Sequence, residues 1–364
     1  MIQKKQRIAI IHDALVVSGG AERLTIALCE AFPDAEIFTS VYLPESTFDY
    51  FRNKKIHTLP GARFVTNERQ FKRLILLWIW GFRHINLSKF NIIITSSTYA
   101  AKYVKVPKKS RHICYLHSPF RYIWKRESYT PESLPLSHYL LKFTDLCIPI
   151  LKNLDGYFTQ KINLIMTNSF NMANHIQEIY KRNAEVIYPP IKFSEFFSQK
   201  ERENFYLFVG RLISYKRADL AIEACEKSGR KLLIVGDGPE RNSLQKKAKE
   251  STIFLGNVSD CELKELYSKA RGLIFPGVED FGIVPVEAQA SGCPIIAFQE
   301  GGALESVVEG KTGVFFNLPT VSQLVETLDR FDKIDFKENE IRNNAARFDI
   351  SIFTQKIRSF VERQ

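Results

Sequence analysis

The sequence has neither paired cysteines nor a long apolar segment. Its six cysteines stand apart, at positions 29, 114, 147, 225, 261 and 293, so none has the spacing of a zinc site or a redox pair. Scattered cysteines are typical of thiols in a reducing compartment. The longest apolar run, Leu74–Trp80, has seven residues, whereas about 20 are needed to span a bilayer. Because the basic N-terminus is followed by no signal-peptide core, we expect a cytoplasmic protein.

Acidic residues are almost missing from one stretch of the chain. Phe51–Arg126 contains 17 lysines and arginines and a single acid, Glu68. Residues 1–190 hold 26 basic and 14 acidic residues, whereas the remainder holds 25 and 26, within a net charge of +11. Because the positive charge is concentrated in one half, the two halves are predicted to have different partners.

The alternation of strand-like and helix-like segments predicts an α/β fold. From residue 205 onward, short apolar segments alternate with helical segments of about ten residues, which indicates βαβ units and a parallel sheet. The first half shows the same alternation, with irregular, aromatic-rich insertions at 42–90 and 119–160. We therefore predict two Rossmann-like, doubly wound domains facing across a cleft. Their predicted bounds are 1–192 and 193–346, followed by a helix within 347–364 that packs on the first domain.

Two glutamates flank a predicted strand-to-helix turn. Glu279 follows a predicted strand, and Glu287 lies in a helix that is predicted to begin near Gly282. Free amides at such a helix start attract phosphate, and the two carboxylates could hold sugar and ribose hydroxyls. The alternative is structural, with Glu279 solvated and Glu287 interacting with the helix dipole.

Five segments, in chain order, carry a family resemblance. Glu279–Glu287 matches the E-x7-E signature of retaining glycosyltransferases with the GT-B fold, and the chain resembles glycosyltransferase family 4 over residues 10–316. The other matching segments are Ser18–Glu22, Phe208–Leu212 with Lys216, Gly236–Pro239 and Gly301–Gly313. The resemblance implies a GT-B fold and retaining transfer of a hexose from a nucleoside-diphosphate sugar.

The resemblance also implies roles for individual residues. The implied donor-binding set is Gly19, Gly20, Gly210, Arg211, Lys216, Gly236, Phe281, Gly282, Ile283, Val284 and Glu287. Arg211 and Lys216 would stabilise the negative charge that builds on the departing diphosphate; as an alternative they are an exposed pair on a charged loop. With Glu279 and His117 on the sugar, these two cations complete the predicted catalytic set. The chain has no Asp-x-Asp segment, and we expect neither a metal nor another cofactor.

The segment that begins at His117 bears on the choice of sugar. His117–Tyr122 resembles bacterial mannosyltransferases of polysaccharide assembly, which makes mannose from GDP-mannose the first choice and a UDP-hexose the alternative. A single histidine after a strand could instead be structural. Arg121 could bind an acceptor phosphate or pack on Tyr122, and by resemblance Ser97 also belongs to the acceptor side.

A basic and aromatic segment suggests a surface partner. Arg69, Lys72 and Arg73 precede the run Leu74–Trp80, whose tryptophans lie beside Arg83. Such a segment can rest on an anionic bilayer, or it can be a buried helix with a solvated basic end. We favour membrane contact, which fits a glycan acceptor carried on a lipid diphosphate and places the enzyme peripherally at the inner face of the cell membrane.

Two further classes of function compete with this interpretation. A nucleic-acid-binding protein would explain the basic half, but no nucleic-acid-binding module accompanies the charge, and we expect no nucleic-acid partner. An inactive protein that binds a nucleotide sugar would not need the full set of Arg211, Lys216, Glu279 and Glu287. We therefore predict a hexosyltransferase of bacterial surface polysaccharide synthesis.

Overall fold

The computed structural model describes residues 6–124, 138–199 and 201–363. It divides the chain into two compact units. The first unit comprises residues 1–188 together with 353–364, and the second comprises 189–352. Each unit is built around one parallel β-sheet.

The first unit contains a seven-stranded sheet. Its strands are β1 (Ile8–His12), β2 (Glu36–Thr39), β3 (Ile56–Thr58), β4 (Ile92–Ser97), β5 (Arg111–Leu116), β6 (Leu164–Thr167) and β7 (Glu185–Val186). Their spatial order is β3-β2-β1-β4-β5-β6-β7, so the direction of winding reverses between β1 and β4. Every residue of β4 is buried, as expected for a central strand of a parallel sheet that is covered on both faces.

Six helices are described in the body of the first unit. They are α1 (Gly20–Ala31), α2 (Glu68–Arg73), α3 (Ile75–Phe82), α4 (Arg121–Trp124), α5 (His138–Gln160) and α6 (Phe170–Tyr180). The start of α6 shows why a helix begins there, since the Ser169 hydroxyl accepts a 3.0 Å hydrogen bond from the Met172 N–H and satisfies an amide of the first turn. Among the described residues, no helix is both long enough and apolar enough to cross a membrane.

The second unit contains a six-stranded parallel sheet. Its strands are β8 (Tyr206–Val209), β9 (Leu232–Val235), β10 (Thr252–Gly256), β11 (Gly272–Phe275), β12 (Ile295–Phe298) and β13 (Gly313–Phe316). Their order is β10-β9-β8-β11-β12-β13, so the winding reverses between β8 and β11. The helices are α7 (Ala218–Ser228), α8 (Arg241–Lys247), α9 (Asp260–Lys269), α10 (Ile283–Ala290), α11 (Ala303–Ser306), α12 (Val321–Phe331) and α13 (Glu338–Ala346).

The last helix, α14 (Ile350–Glu362), begins in the second unit and belongs to the first from Phe353 onward. The Arg358 Nε donates a 2.9 Å hydrogen bond to the carbonyl of Ala31. The guanidinium of Arg111 donates to the carbonyls of Val361 and Arg363. These polar contacts attach the end of the chain to α1 and β5.

The predicted α/β architecture with two parallel sheets is confirmed. The second unit begins at residue 189, three residues before the predicted boundary at residue 192. Ile191 forms a β-bridge with Asp349, and its N–H donates a 2.9 Å hydrogen bond to the Phe348 carbonyl. Residues 189–192 therefore lie in the second unit, because their backbone partners are there.

The irregular insertions predicted in the first half are more regular than expected. Segment 42–90 contains β3, α2 and α3, and segment 119–160 contains α4 and α5, with residues 125–137 outside the described residues. Sequence patterns missed β3 because it has only three residues. They missed α5 because Pro149 lies inside it, and proline is unfavourable in a helix interior.

Candidate active site

The reversal of winding in the second sheet positions a first cluster of polar residues. The chain leaves β8 toward β9 on one side, and β11 lies on the other side of β8. In open α/β sheets, the carboxyl ends of the strands at such a reversal form a crevice that binds ligands. Lys216 follows β8 on a short 3-10 turn, Ser214–Lys216, and Glu279 follows β11.

Lys216 and Glu279 meet at this sheet edge. The Lys216 Nζ donates to the Glu279 Oε1 in an ion pair, and their side chains are 14% and 18% exposed. The pair is thus sheltered yet open to a ligand. Two residues that lie far apart in the sequence are brought together because their strands are neighbours and parallel.

Glycines allow the surrounding loops to approach each other closely. A Cβ on Gly236 would lie 2.1 Å from the Gly210 carbonyl oxygen, and one on Gly302 would lie 2.2 Å from the Cα of Phe281. Both contacts are with backbone, which cannot turn aside as a flexible side chain could. The Gly302 N–H also donates a 2.9 Å hydrogen bond to the Glu279 carbonyl. Glycine at these positions therefore keeps the segment before α10 in place beside the crevice.

The start of α10 combines a glycine cap with two partly exposed residues. Gly282 caps the helix with a φ of +80°, a conformation that favours glycine. Ile283 and Val284, in the first turn, are partly exposed. The side chain of Phe281 is buried, and its ring packs edge-on to Phe348 with centroids 5.5 Å apart. Any contact of Phe281 with a donor would thus be through its backbone.

The two remaining donor-side residues differ in exposure. Arg211 is exposed on the segment that follows β8. Glu287 is buried in α10, and its Oε2 accepts a 3.2 Å hydrogen bond from the hydroxyl of Tyr267, which is also buried. A ribose hydroxyl that bound Glu287 would have to share this carboxylate with Tyr267.

A second polar cluster lies at the reversal of winding in the first sheet. The register of β1 and β4 pairs His12 with Ser96, and His117 follows the neighbouring strand β5. The Ser96 Oγ lies 2.9 Å from the His117 Nε2 and 3.1 Å from the His12 Nδ1. The His12 Nε2 lies 3.5 Å from the Glu22 Oε1. Four polar side chains are thus joined at one sheet edge.

The two histidines of this cluster have opposite pKa shifts. Burial, reinforced by the charge of His12, lowers the pKa of His117 to about 3. Burial would also lower the pKa of His12, but its hydrogen bond to Glu22 and the charge of that carboxylate outweigh burial and raise the pKa above 6.5. Near pH 6, His117 is therefore neutral and His12 favours the imidazolium form.

The glycine pair stands directly before α1. The Gly19 N–H donates a 3.1 Å hydrogen bond to the Glu22 Oε2, and Gly20 is the first residue of the helix. A Cβ on Gly20 would meet no atom within 4 Å, so the space beside this residue is open. Glu22 thus links the glycine pair to His12.

The acceptor-side residues have different surroundings from those expected. Ser97 is fully buried; its hydroxyl donates to the Asp13 Oδ1 at 3.3 Å and accepts from the Lys102 N–H at 3.2 Å. These contacts tie the Ser97 hydroxyl to Asp13 and to the turn after β4, and its place on the acceptor side stays a prediction. Arg121 is partly exposed at the start of α4.

Sequence patterns missed three members of the first-unit cluster as site residues. The sequence alone assigned no role to Ser96, beside Ser97, or to His12. Glu22 was seen only as part of the glycine segment. The available signal was a polar residue at the carboxyl end of each of the two strands where winding reverses.

Two family models together match most of the chain. Residues 18–195 match Glycosyltransferase Family 4, and residues 191–348 match Glycosyl transferases group 1. The chain belongs to the GT4-type glycosyltransferases. The resemblance that was inferred from five short motifs is therefore confirmed.

Individual relatives of this GT4-type glycosyltransferase are only moderately similar. An uncharacterized 41.2 kDa protein in the cps region of Klebsiella pneumoniae is 27% identical over 337 residues, 88% of this chain and 89% of that protein. The O-antigen chain mannosyltransferase RfbU of Salmonella typhimurium is 30% identical over 213 residues, 53% of this chain and 58% of that protein.

The fold is that of GT-B glycosyltransferases. The crystal structure of Anabaena HepE in complex with UDP and glucose superposes with a TM-score of 0.74 at 16% identity. The superposition covers 98% of this chain and 99% of that one.

Proposed function

We propose that this glycosyltransferase transfers a hexose, with retention of anomeric configuration and without a metal ion, from a nucleoside-diphosphate sugar to a glycan or a lipid-linked glycan. Mannose from GDP-mannose is the first choice, because the Salmonella relative is named a mannosyltransferase of the O-antigen chain. A UDP-hexose is the second candidate, since the structurally similar HepE binds UDP and glucose. The name of the Salmonella relative points to cell-surface polysaccharide, and the ligands of HepE point to nucleotide-sugar chemistry.

The contact between Lys216 and Glu279 carries this proposal. In the donor complex, the diphosphate replaces Glu279 as the partner of Lys216, and the carboxylate becomes available for sugar hydroxyls. Arg211, on the same loop, supplies a second cation. Two positioned cations stabilise the charge that develops as the glycosidic bond breaks, and this is the part that a metal ion plays in other transferases.

The remaining donor contacts are those that the family resemblance implies. The amides at the start of α10 lie against a phosphate, and Glu287 receives a ribose hydroxyl beside Tyr267. His117 and the glycine pair at 19–20 approach the sugar. The acceptor hydroxyl attacks from the face that the diphosphate leaves, which retains the configuration. Glu279 binds hydroxyls in this scheme and is not a covalent nucleophile.

We also propose that the first unit rests on an anionic membrane. Apolar side chains lie open on and near α3: Phe64 is 72% exposed, Leu76 64% and Trp80 60%. The adjacent α2 has two basic residues in its last turn, Lys72 and Arg73. Exposed apolar side chains next to basic ones suit the boundary between headgroups and acyl chains.

Trp78 is not part of the surface that is predicted to contact the membrane. It is buried, and its Nε1 donates a 3.0 Å hydrogen bond to the Phe71 carbonyl. Trp78 therefore anchors α3 to α2 and leaves Trp80 as the tryptophan that can enter a bilayer. Sedimentation with vesicles of anionic phospholipid tests this surface, with vesicles of phosphatidylcholine alone as the lipid control.

A matched pair of variants sharpens the membrane experiment. Leu76→Ser with Trp80→Ser is expected to lower the bound fraction severalfold, whereas Leu318→Ser, at a residue of the second unit that is 56% exposed, is expected to leave it unchanged. Binding that is equal for all three proteins would refute the membrane proposal without affecting the assignment of the donor site.

A thermal-shift screen tests the donor. The protein is heated with GDP-mannose, UDP-glucose, UDP-galactose, UDP-N-acetylglucosamine, GDP or UDP in the presence of EDTA. A ligand at 100 times its dissociation constant adds about 2.7 kcal/mol to stability. Stabilisation by GDP-mannose and GDP supports the first choice, and stabilisation by the UDP series supports the second. No stabilisation by any of them in EDTA, with a shift on adding Mg²⁺, would refute metal independence.

A further inference from the structure

The cluster at the edge of the first sheet forms a continuous chain of polar contacts. It runs from the Gly19 N–H to the Glu22 Oε2 at 3.1 Å, and from the Glu22 Oε1 to the His12 Nε2 at 3.5 Å. It continues from the His12 Nδ1 to the Ser96 Oγ at 3.1 Å and from there to the His117 Nε2 at 2.9 Å. This chain of contacts connects the glycine pair to His117 through three buried side chains, Glu22, His12 and Ser96.

The position of each proton follows from which atoms can only accept. The His12 Nδ1 also lies 3.2 Å from the Ser96 carbonyl oxygen, and a carbonyl cannot donate. The Nδ1 must therefore carry a proton. The His12 Nε2 faces the carboxylate of Glu22, which is likewise an acceptor when ionised, so this nitrogen carries a proton too. His12 is then a cation with both protons directed at fixed partners.

The proton of Ser96 has one good destination. Its oxygen accepts from the His12 Nδ1 at 3.1 Å and from the Thr25 hydroxyl at 3.3 Å, and that hydroxyl also donates to the Ala21 carbonyl at 2.9 Å. The Ser96 O–H therefore donates to the nearest acceptor, the His117 Nε2. A ring nitrogen that accepts carries no proton, so neutral His117 has its proton on Nδ1.

We propose that Glu22, His12 and Ser96 are positioning residues that hold His117 as the neutral Nδ1–H tautomer, ready to donate a hydrogen bond to the transferred sugar. This inference rests on the proposed function, in which His117 contacts the donor sugar. It assigns His117 the role of a hydrogen-bond donor and excludes it as the base that deprotonates the acceptor. It also joins the glycine pair and His117 into one unit, because both depend on the carboxylate of Glu22.

Three charged or titratable groups face His12. Glu22 approaches His12 from α1, Asp13 is the next residue in the sequence after His12, and His117 approaches from the end of β5. The two carboxylates favour the imidazolium of His12, and neutral His117 does not oppose it. Removal of the charge of Glu22 should therefore shift the titration of His12 toward lower pH.

Nitrogen NMR tests the proton positions directly. In ¹⁵N-histidine-labelled full-length protein without ligand, long-range proton–nitrogen correlations distinguish protonated from bare ring nitrogens. The seven histidines are assigned with His12→Gln and His117→Gln. We expect Nδ1–H and a bare Nε2 for His117, and two protonated nitrogens for His12 at pH 6. A proton on the His117 Nε2 would overturn the proposal, and this result would stand whether or not GDP-mannose is the donor.

Two variants and a control separate positioning from simple stabilisation. Glu22→Gln should lower the pH at which His12 titrates, and Ser96→Ala should release the tautomer of His117. With GDP-mannose as the probe, Ser96→Ala should lower kcat about fivefold, the equivalent of one hydrogen bond, with little change in donor KM. Unchanged His12 and His117 signals in both variants would refute the proposal that Glu22, His12 and Ser96 position His117.

The matched control is His112→Gln. His112 is a buried histidine within β5, and its Nε2 contacts the Thr95 hydroxyl at 3.0 Å outside the chain of contacts. The variant His112→Gln should change the stability of the protein but leave kcat and the His117 tautomer unchanged. If His112→Gln lowers kcat as much as Ser96→Ala does, the effect of Ser96 is structural and the positioning role is wrong.

Discussion

A buried ion pair in the first unit provides a stability prediction that can be worked out in detail. The Lys102 Nζ lies 2.5 Å from the Asp155 Oδ1, and both side chains are fully buried. The carboxylate also accepts from the hydroxyls of Tyr103 and Tyr180, each at 2.5 Å, and from the Trp124 Nε1 at 2.7 Å. Lys102 in turn donates to the Tyr180 hydroxyl at 3.1 Å.

The two partners should not be equally sensitive to removal. Loss of one partner of a buried pair costs about 3–5 kcal/mol, because a charge is left uncompensated. In Lys102→Met, Asp155 keeps three hydrogen-bond donors, so we expect the lower end, about 3 kcal/mol. In Asp155→Asn, the ammonium of Lys102 loses its only charged partner among the contacts described, so we expect about 5 kcal/mol. The double variant should lose less than the sum, since neither residual charge remains.

Tryptophan fluorescence is the assay, because it reports on one unit alone. All three tryptophans of the chain, at 78, 80 and 124, lie in the first unit. Urea unfolding followed by this signal therefore measures the unit that contains the pair, while circular dichroism follows both units. A loss below about 1 kcal/mol for Asp155→Asn, or strict additivity in the double variant, would refute the description of a buried and coupled pair.

Three further predictions concern the site and its supports. Glu279→Ala should abolish most transfer, and Glu279→Gln should keep part of it because an amide still accepts hydroxyls; full turnover by Glu279→Ala, measured by release of nucleoside diphosphate, would sink the assignment. Gly302→Ala should lower the stability of the second unit by about 1–3 kcal/mol, since its Cβ would lie 2.2 Å from the Cα of Phe281; a melting curve followed by circular dichroism measures it. Burial lowers the pKa of His112 to about 4. Below about pH 6.5 this histidine is therefore protonated in the unfolded chain but still neutral in the folded chain, so the free energy of unfolding falls as the pH drops. From pH 7 to pH 5 this amounts to about 2 kcal/mol, which His112→Gln should remove from the fluorescence-detected stability.

The second unit was easier to predict than the first, for a physical reason. Its strands and helices alternate with short connections, so each strand is marked by its own short apolar segment. In the first unit, β3 has three residues and α5 contains a proline. Such elements are stabilised by packing against the rest of the unit, and that contribution leaves no local periodicity to detect.

The pairing of Lys216 with Glu279 illustrates how far the sequence reaches. Both residues follow predicted strands, and the carboxyl ends of parallel strands share one edge of a sheet, so their proximity was foreseeable from motif order. The assignment of Ser97 to the acceptor side stays a prediction, but its hydroxyl lies on the side away from the histidines, because neighbouring residues of a strand face opposite sides. Ser96 lies toward the histidines, and Ser97 lies toward Asp13.

The sequence by itself determined the two-domain α/β fold, the family and the loops that carry the glutamates, the cations and the glycines. These properties depend on local periodicity, on composition and on the order of short motifs. Only the tertiary structure decided that Trp78 is buried and that His12, Ser96 and Glu22 form one chain of contacts with His117. Those partners lie on different strands and helices, up to 84 positions apart for His12 and Ser96, and their contacts depend on strand register and side-chain packing, which no local pattern specifies.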